Sequence, residues 1–101
     1  MEYKNLSLLE LEEYVKSGNA TYTDIYQYFL SRAKQYQESL NVFVTSPKEI
    51  SQVTGLPIAV KDTYCEVGVR STAGSKMLSD FVSPYESTVT DRLKKGGFVS
   101  F

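Results

Sequence analysis

The sequence contains no histidine and only one cysteine, Cys65, among its 101 residues. Without histidine, these residues cannot form a Ser-His-Asp or Cys-His catalytic arrangement. A single cysteine cannot form an internal disulfide, and without histidine it leaves no zinc-site spacing. Cys65 has no base beside it in the sequence, so we interpret it as a packing residue rather than a nucleophile.

A strong charge of one sign and long apolar runs are also missing. The formal net charge is −1 and there is no basic run, so the composition does not favour direct binding of nucleic acid. No apolar run approaches the roughly 20 residues that span a bilayer, and the polar, acidic start is unlike a signal peptide. We therefore expect a cytoplasmic protein that does not contact a membrane.

Two capping signals predict amphipathic helices in the first 40 residues. Ser7 and Glu10 fit a capping box, and Gly18 marks a left-handed end to that helix. Thr21 and Asp24 begin a second helix that runs to about residue 38. The predicted inner faces are Leu8, Leu11 and Val15 in the first helix, and Ile25, Phe29, Ala33 and Tyr36 in the second.

Four tyrosines of this region could form a stacking surface for bases, but packing on a core, with the hydroxyls at its rim, is the stronger interpretation. They are Tyr22, Tyr26, Tyr28 and Tyr36.

Residues 41–101 predict strands around one further helix. Residues 42–45 are typical of a strand that a following proline ends, and residues 56–60 are typical of a strand buried on both faces. Residues 63–75 lack helical periodicity and predict an ordered loop. Ser87 caps a predicted helix with Val89 and Leu93 on its inner face, which ends at Gly96 and Gly97 before a strand from residue 98. This order predicts a right-handed crossover between parallel strands.

Lys61 and Asp62 stand directly after the apolar strand at residues 56–60. A lysine at the end of a buried strand loses part of its hydration, and this favours the neutral amine that can act as a base. From these residues alone, a solvated surface lysine is the commoner alternative. In the following loop, Ser71, Thr72 and Ser75 could donate hydrogen bonds to a substrate or to Lys61, or could satisfy only the loop backbone.

Three blocks in this order resemble the amino-terminal part of the amidase signature family. The blocks are residues 56–62, 72–78 and 81–89. The resemblance implies an α/β fold with a mixed, largely parallel sheet. It implies one partial amidase domain over residues 1–101, helical in 1–40 and starting the central sheet in 41–101.

The family is known for a Ser-cisSer-Lys triad, and Lys61 matches its lysine. By this resemblance, neutral Lys61 takes a proton through the cis-serine from the nucleophilic serine, which attacks an amide carbonyl and releases ammonia from an acyl-enzyme. The Gly/Ser-rich segment that carries both serines is expected beyond Phe101, so we expect the chain alone to be inactive. Thr63 stands where the family commonly has asparagine, and the connector at residues 48–54 is shorter than is usual.

Within the family, the likeness is to the glutaminase subunits of tRNA-dependent amidotransferases. It implies glutamine or asparagine as amide donor, and B and C partner subunits that receive the ammonia. A partner uses ATP and Mg²⁺ to convert Glu-tRNA(Gln) to Gln-tRNA(Gln), so tRNA is reached only through that partner and this chain binds no cofactor. A fragment of a stand-alone amidase acting on small amides, or a non-catalytic fragment that docks through its helices, remain alternatives.

Overall fold

The computed structural model describes residues 2–101, in which three α-helices accompany a two-stranded parallel sheet. The helices are α1 (Leu8–Lys16), α2 (Tyr22–Leu40) and α3 (Thr88–Lys95). The strands are β1 (Pro57–Ile58) and β2 (Val99–Ser100). This order confirms the predicted α/β class. None of the helices within residues 2–101 is both long and apolar enough to cross a bilayer.

Both amino-terminal helices begin where the capping pattern predicts. The Ser7 hydroxyl accepts a hydrogen bond from the Glu10 amide, and the Ser7 amide donates to the Glu10 carboxylate, each at 3.2 Å. Thr21 and Asp24 form the same reciprocal pair at the start of α2. Helix α2 ends slightly later than predicted, at Leu40, where Asn41 adopts a left-handed conformation with φ of 50°.

Two small apolar clusters form the core, and α2 contributes to both. In the first, Ile25 packs with Leu11 of α1 and with Leu56, the residue before β1. In the second, Tyr26 packs with Val53. Because both clusters include residues just before β1, α2 fixes the place at which the first strand enters the sheet.

The tyrosines that we could place at a core rim include one that is fully enclosed. The Tyr26 hydroxyl donates to the Lys48 carbonyl at 2.7 Å, and the Tyr22 hydroxyl donates to the Glu12 carboxylate at 3.0 Å. Both side chains are therefore committed to contacts within the protein, as the packing interpretation requires.

Two predicted core positions lie at the surface instead. Leu8 is 51% exposed and Val89 is 44% exposed. On α3 the enclosed side chain is Thr90, at 1% exposure, because its hydroxyl lies between the Cys65 carbonyl and the Glu86 carboxylate. A hydrogen-bonded threonine, which an apolar pattern cannot reveal, thus holds the inner face of α3.

The predicted strand at residues 42–45 is wrong. Val42 and Val44 are half or more exposed, and residues 42–45 have no strand partner within residues 2–101. The Gln37 side chain instead accepts from the Phe43 amide at 2.9 Å and donates to the Phe43 carbonyl at 2.8 Å. Since those are groups that a neighbouring strand would use, the side chain of α2 replaces sheet pairing at this point.

Strands β1 and β2 pair in parallel, as predicted, with α3 in the connection between them. Pro57 pairs with Val99 and Ile58 pairs with Ser100. Both strand residues of β1 are half-buried, so the prediction of a strand buried on both faces is wrong for residues 2–101. The elements described here leave part of each sheet face uncovered.

Gly55 lets the chain entering β1 pass close to the end of α3. A Cβ atom on Gly55 would lie 1.8 Å from the Gly97 carbonyl oxygen. Gly97 has a φ of 91°, which only glycine adopts readily, so the predicted stop after α3 is confirmed. The two glycines together bring β2 beside β1.

Candidate functional site

Lys61 lies just beyond the carboxyl end of β1, the end of a parallel sheet at which ligands usually bind. Its side chain is exposed and lines a cavity of about 630 Å³ between the strand ends and residues 42–48. The prediction that Lys61 stands at a strand end is confirmed. The loss of hydration expected of it is not found within residues 2–101.

Charged side chains of both signs line this cavity together with apolar ones. The charged residues are Lys48, Lys61, Asp62, Glu66, Arg70 and Lys94. A concave surface of this size with a few convergent polar groups is suited to a small polar molecule. Apart from Lys61 and Asp62, our sequence analysis did not identify these charged residues.

Asp62 anchors the loop that follows Lys61. Both of its carboxylate oxygens lie 3.1 Å from the Thr72 amide nitrogen, and one of them also accepts from the Thr72 hydroxyl. The Ser71 hydroxyl donates to the Asp62 backbone carbonyl at 2.6 Å. Ser71 and Thr72 are buried, so of the two alternatives left open for them, support of the loop is the one observed.

The charge of Asp62 is stabilised by these contacts. Burial alone would raise its pKa, but hydrogen bonds from the Thr72 hydroxyl and amide and from the Gly74 amide, with the positive charge of Arg70, hold the pKa below its ordinary value of 3.8. The carboxylate therefore stays ionised at neutral pH and keeps accepting these hydrogen bonds.

The loop itself is ordered by turns and by a short antiparallel contact. Arg70 forms a bridge with Val82. Ala73 and Gly74, with φ values of 49° and 73°, form a left-handed turn directly after Thr72. The prediction of an ordered loop without helix at residues 63–75 is confirmed.

The start of α3 holds the same loop from its other side. Ser87, the cap of α3, donates its amide to the Cys65 carbonyl at 2.7 Å, and the Thr90 hydroxyl is 3.1 Å from that carbonyl. The Cys65 thiol is half-buried and lies 3.5 Å from the Tyr85 hydroxyl, a hydrogen bond that lowers the thiol pKa. Cys65 thus contributes to the site chiefly through its backbone carbonyl.

Two carboxylates converge on Lys94 next to this contact. Its Nζ atom lies 3.0 Å from Glu86 Oε1 and 3.3 Å from Glu66 Oε2. Burial alone would lower the pKa of Lys94, but the hydrogen bond to Glu86 and the charge of Glu66 raise it above its ordinary value. Our sequence analysis missed this cluster, although Glu86, Thr90 and Lys94 are spaced by four residues and so share one helix face.

Comparison with known proteins gives a consistent result. The amidase family model matches residues 5–101. The A subunit of glutamyl-tRNA(Gln) amidotransferase from Nitrosomonas europaea is 37% identical over 113 residues, covering 95% of this chain and 23% of that protein. The same subunit of Nitrosococcus oceani is 36% identical over 110 residues, covering 92% of this chain and 23% of that protein.

A solved structure shows the same fold. The crystal structure of the corresponding glutamyl-tRNA(Gln) amidotransferase subunit from Thermotoga maritima matches with a TM-score of 0.81 and 25% identity. The match covers 99% of this chain and 23% of that chain. The chain therefore spans about 23% of the length of these relatives. The resemblance seen in the three sequence blocks is confirmed.

Proposed function

We propose that this chain, which belongs to the amidase family, is the front portion of the glutaminase subunit of a tRNA-dependent amidotransferase. The relatives it matches over more than nine-tenths of its length carry the name of such a subunit. The observation that carries the proposal is the position of Lys61: it lies at the carboxyl end of β1, on a cavity, with Asp62 fixing the loop behind it.

In the proposed reaction, Lys61 is the general base of a Ser-cisSer-Lys triad. Its neutral amine accepts a proton relayed through the cis-serine as the nucleophilic serine attacks the side-chain amide of glutamine or asparagine. The bond to nitrogen breaks, ammonia leaves, and water then hydrolyses the acyl-enzyme. Both serines belong to the family's Gly/Ser-rich segment, outside these 101 residues.

The ammonia would pass to the B and C subunits, which amidate Glu-tRNA(Gln) with ATP and Mg²⁺. This chain would bind neither ATP nor the metal ion and would reach tRNA only through a partner. The cytoplasmic location expected from the sequence belongs to the same proposal.

A chimera tests the proposal. This chain replaces the matching front part of the Nitrosomonas europaea subunit, and ammonia release from glutamine is measured with the partner subunits present. We expect activity that Lys61→Ala lowers by roughly 10²-fold or more, the scale of a lost general base. Lys76→Ala is the matched control, because Lys76 is an exposed lysine that does not line the cavity.

The outcomes separate the alternatives. A cooperatively folded chimera whose glutamine hydrolysis does not depend on Lys61 would rule out the assigned base. Hydrolysis of small amides that is independent of the partner subunits would favour the stand-alone amidase. The same chimera built on the Thermotoga maritima protein provides a second host if the first does not fold.

A further inference from the structure

We propose that an ion-paired cluster on α3 positions Lys61, in addition to the anchor that Asp62 provides. The cluster, called the positioning cluster below, consists of Glu66, Glu86 and Lys94. The inference rests on the proposed function of Lys61 as the base. It gives Lys94 a role through another residue rather than in direct contact with substrate.

Glu66 depends on Lys94 for its charge balance. It is only 5% exposed, and its buried Oε2 accepts no directed hydrogen bond within residues 2–101. The Lys94 Nζ atom at 3.3 Å forms an ion pair with this oxygen. A buried carboxylate without a cation is strongly destabilised, so removing Lys94 should release Glu66 from its present place.

Glu86 connects the cluster to the loop backbone. Its Oε1 atom accepts from the Val67 amide at 3.2 Å and contacts Lys94 Nζ at 3.0 Å. Hydrogen bonds from the Thr90 hydroxyl and from Lys94 lower the pKa of Glu86, so it stays ionised near neutral pH. The loop at residues 65–67 is therefore held to α3 by a charged group as well as by its backbone.

This attachment lies close to Lys61 along the chain. The Tyr64 amide donates to the Lys61 carbonyl at 2.9 Å, so a turn joins Lys61 to the attached residues. Lys61, Glu66 and Lys94 also line the same cavity. With Asp62 fixed by Thr72 on one side and residues 65–67 fixed by α3 on the other, the backbone of Lys61 has little freedom to shift.

The activity test uses the chimera described above. We expect Lys94→Met to lower kcat for glutamine hydrolysis by roughly 10- to 100-fold, with little change in KM, because a displaced base impairs the chemical step more than binding. Lys94→Arg keeps the charge and should recover much of the loss. Measurements are made where each variant is fully folded, so that a loss of folded protein does not imitate the effect.

Lys95→Met provides the matched control. Lys95 is the next lysine on α3, and it pairs with Asp91 at 2.9 Å on the exposed side of the helix. It contacts neither carboxylate of the positioning cluster, so its replacement should leave kcat unchanged. An equal loss of kcat in Lys94→Met and Lys95→Met would overturn the proposal.

Hydrogen exchange supplies a readout that does not need activity. Lys94→Met should speed exchange of the Tyr64 and Val67 amides by roughly tenfold or more, while Lys95→Met should not. Unchanged exchange at these amides would overturn the positioning role, even if kcat falls. If the unsubstituted chimera fails to hydrolyse glutamine, the proposed function fails, and the exchange result still decides whether the cluster holds the Lys61 loop.

Discussion

Replacing Asp62 with alanine should loosen the whole loop behind Lys61. The substitution removes the acceptor of the Thr72 amide and of the Thr72 hydroxyl. It leaves in place the hydrogen bond from Ser71, because that bond goes to the backbone carbonyl of residue 62. Thr72 is 3% exposed, so water cannot readily replace the lost carboxylate without an opening of the loop.

The magnitude follows from the type of hydrogen bond. A hydrogen bond to a charged group contributes roughly 1.5–3 kcal/mol, and an unsatisfied buried donor costs about 1–3 kcal/mol. Asp62 is itself only half-buried, so values at the lower ends of these ranges apply. We expect a loss of about 3 kcal/mol in the free energy of unfolding, a large fraction of the roughly 5 kcal/mol at the low end for small domains.

Urea unfolding of the 101-residue chain, followed by far-ultraviolet circular dichroism, measures this loss. Asp80→Ala is the matched control, since Asp80 is an exposed carboxylate in the same part of the chain. We expect it to change the free energy of unfolding by less than about 0.5 kcal/mol. If Asp62→Ala falls within that same range, the anchoring role assigned to Asp62 is wrong.

Three further predictions concern acid, a close backbone approach and the isolated chain. Acidification should destabilise the chain, because the pKa values of Asp62 and Glu86 lie below their ordinary values of 3.8 and 4.5. The stabilisation is complete above those ordinary values and is lost as the pH falls through the lowered ones, so Asp62→Ala should flatten the dependence of unfolding free energy on pH. Gly55→Ala should destabilise the chain by about 2–3 kcal/mol, since its Cβ would lie 1.8 Å from a carbonyl oxygen. Gly18→Ala, with a φ of 82° but no atom within 4 Å, should cost only about 1 kcal/mol in the same urea experiment. The isolated chain should release no ammonia from glutamine, and a release that Lys61→Ala abolishes would contradict this expectation.

The helix starts could be predicted from sequence because their causes are local. Ser7, Thr21 and Ser87 each accept a hydrogen bond from the amide three residues later, so the signal lies within one turn of chain. The strand pairing could also be anticipated, since the order of strand, loop, helix and strand leaves few arrangements for a parallel pair.

The errors came from contacts between distant residues. Residues 42–45 have strong strand propensity, but the Gln37 side chain takes the backbone groups of Phe43. Strand propensity depends on the neighbours that a segment finds, and a helix end found this one first. Thr90 illustrates the same limit, because its burial depends on carbonyl and carboxylate groups from another part of the chain.

The site divides in the same way. Lys61 could be found because it stands directly after an apolar run and matches a family motif. Its anchor could not, because Asp62 and Thr72 are separated by ten residues of irregular loop whose path no periodicity describes. Lys94 lay within reach of prediction, since its spacing from Glu86 is two helical turns, but nothing in the sequence indicates that Glu66 would be brought to the same face.

The exposure of Lys61 specifies what the remainder of a family site must supply. A lysine acts as a general base only as the neutral amine, and water favours the ammonium form. Residues 2–101 fix the backbone of Lys61 through Asp62 and α3 but leave its side chain exposed on the cavity. Under the proposed function, the segment that brings the two serines must also exclude water from this cavity. Position and environment of the base therefore come from different parts of the polypeptide, so the base becomes effective only when its nucleophile is present.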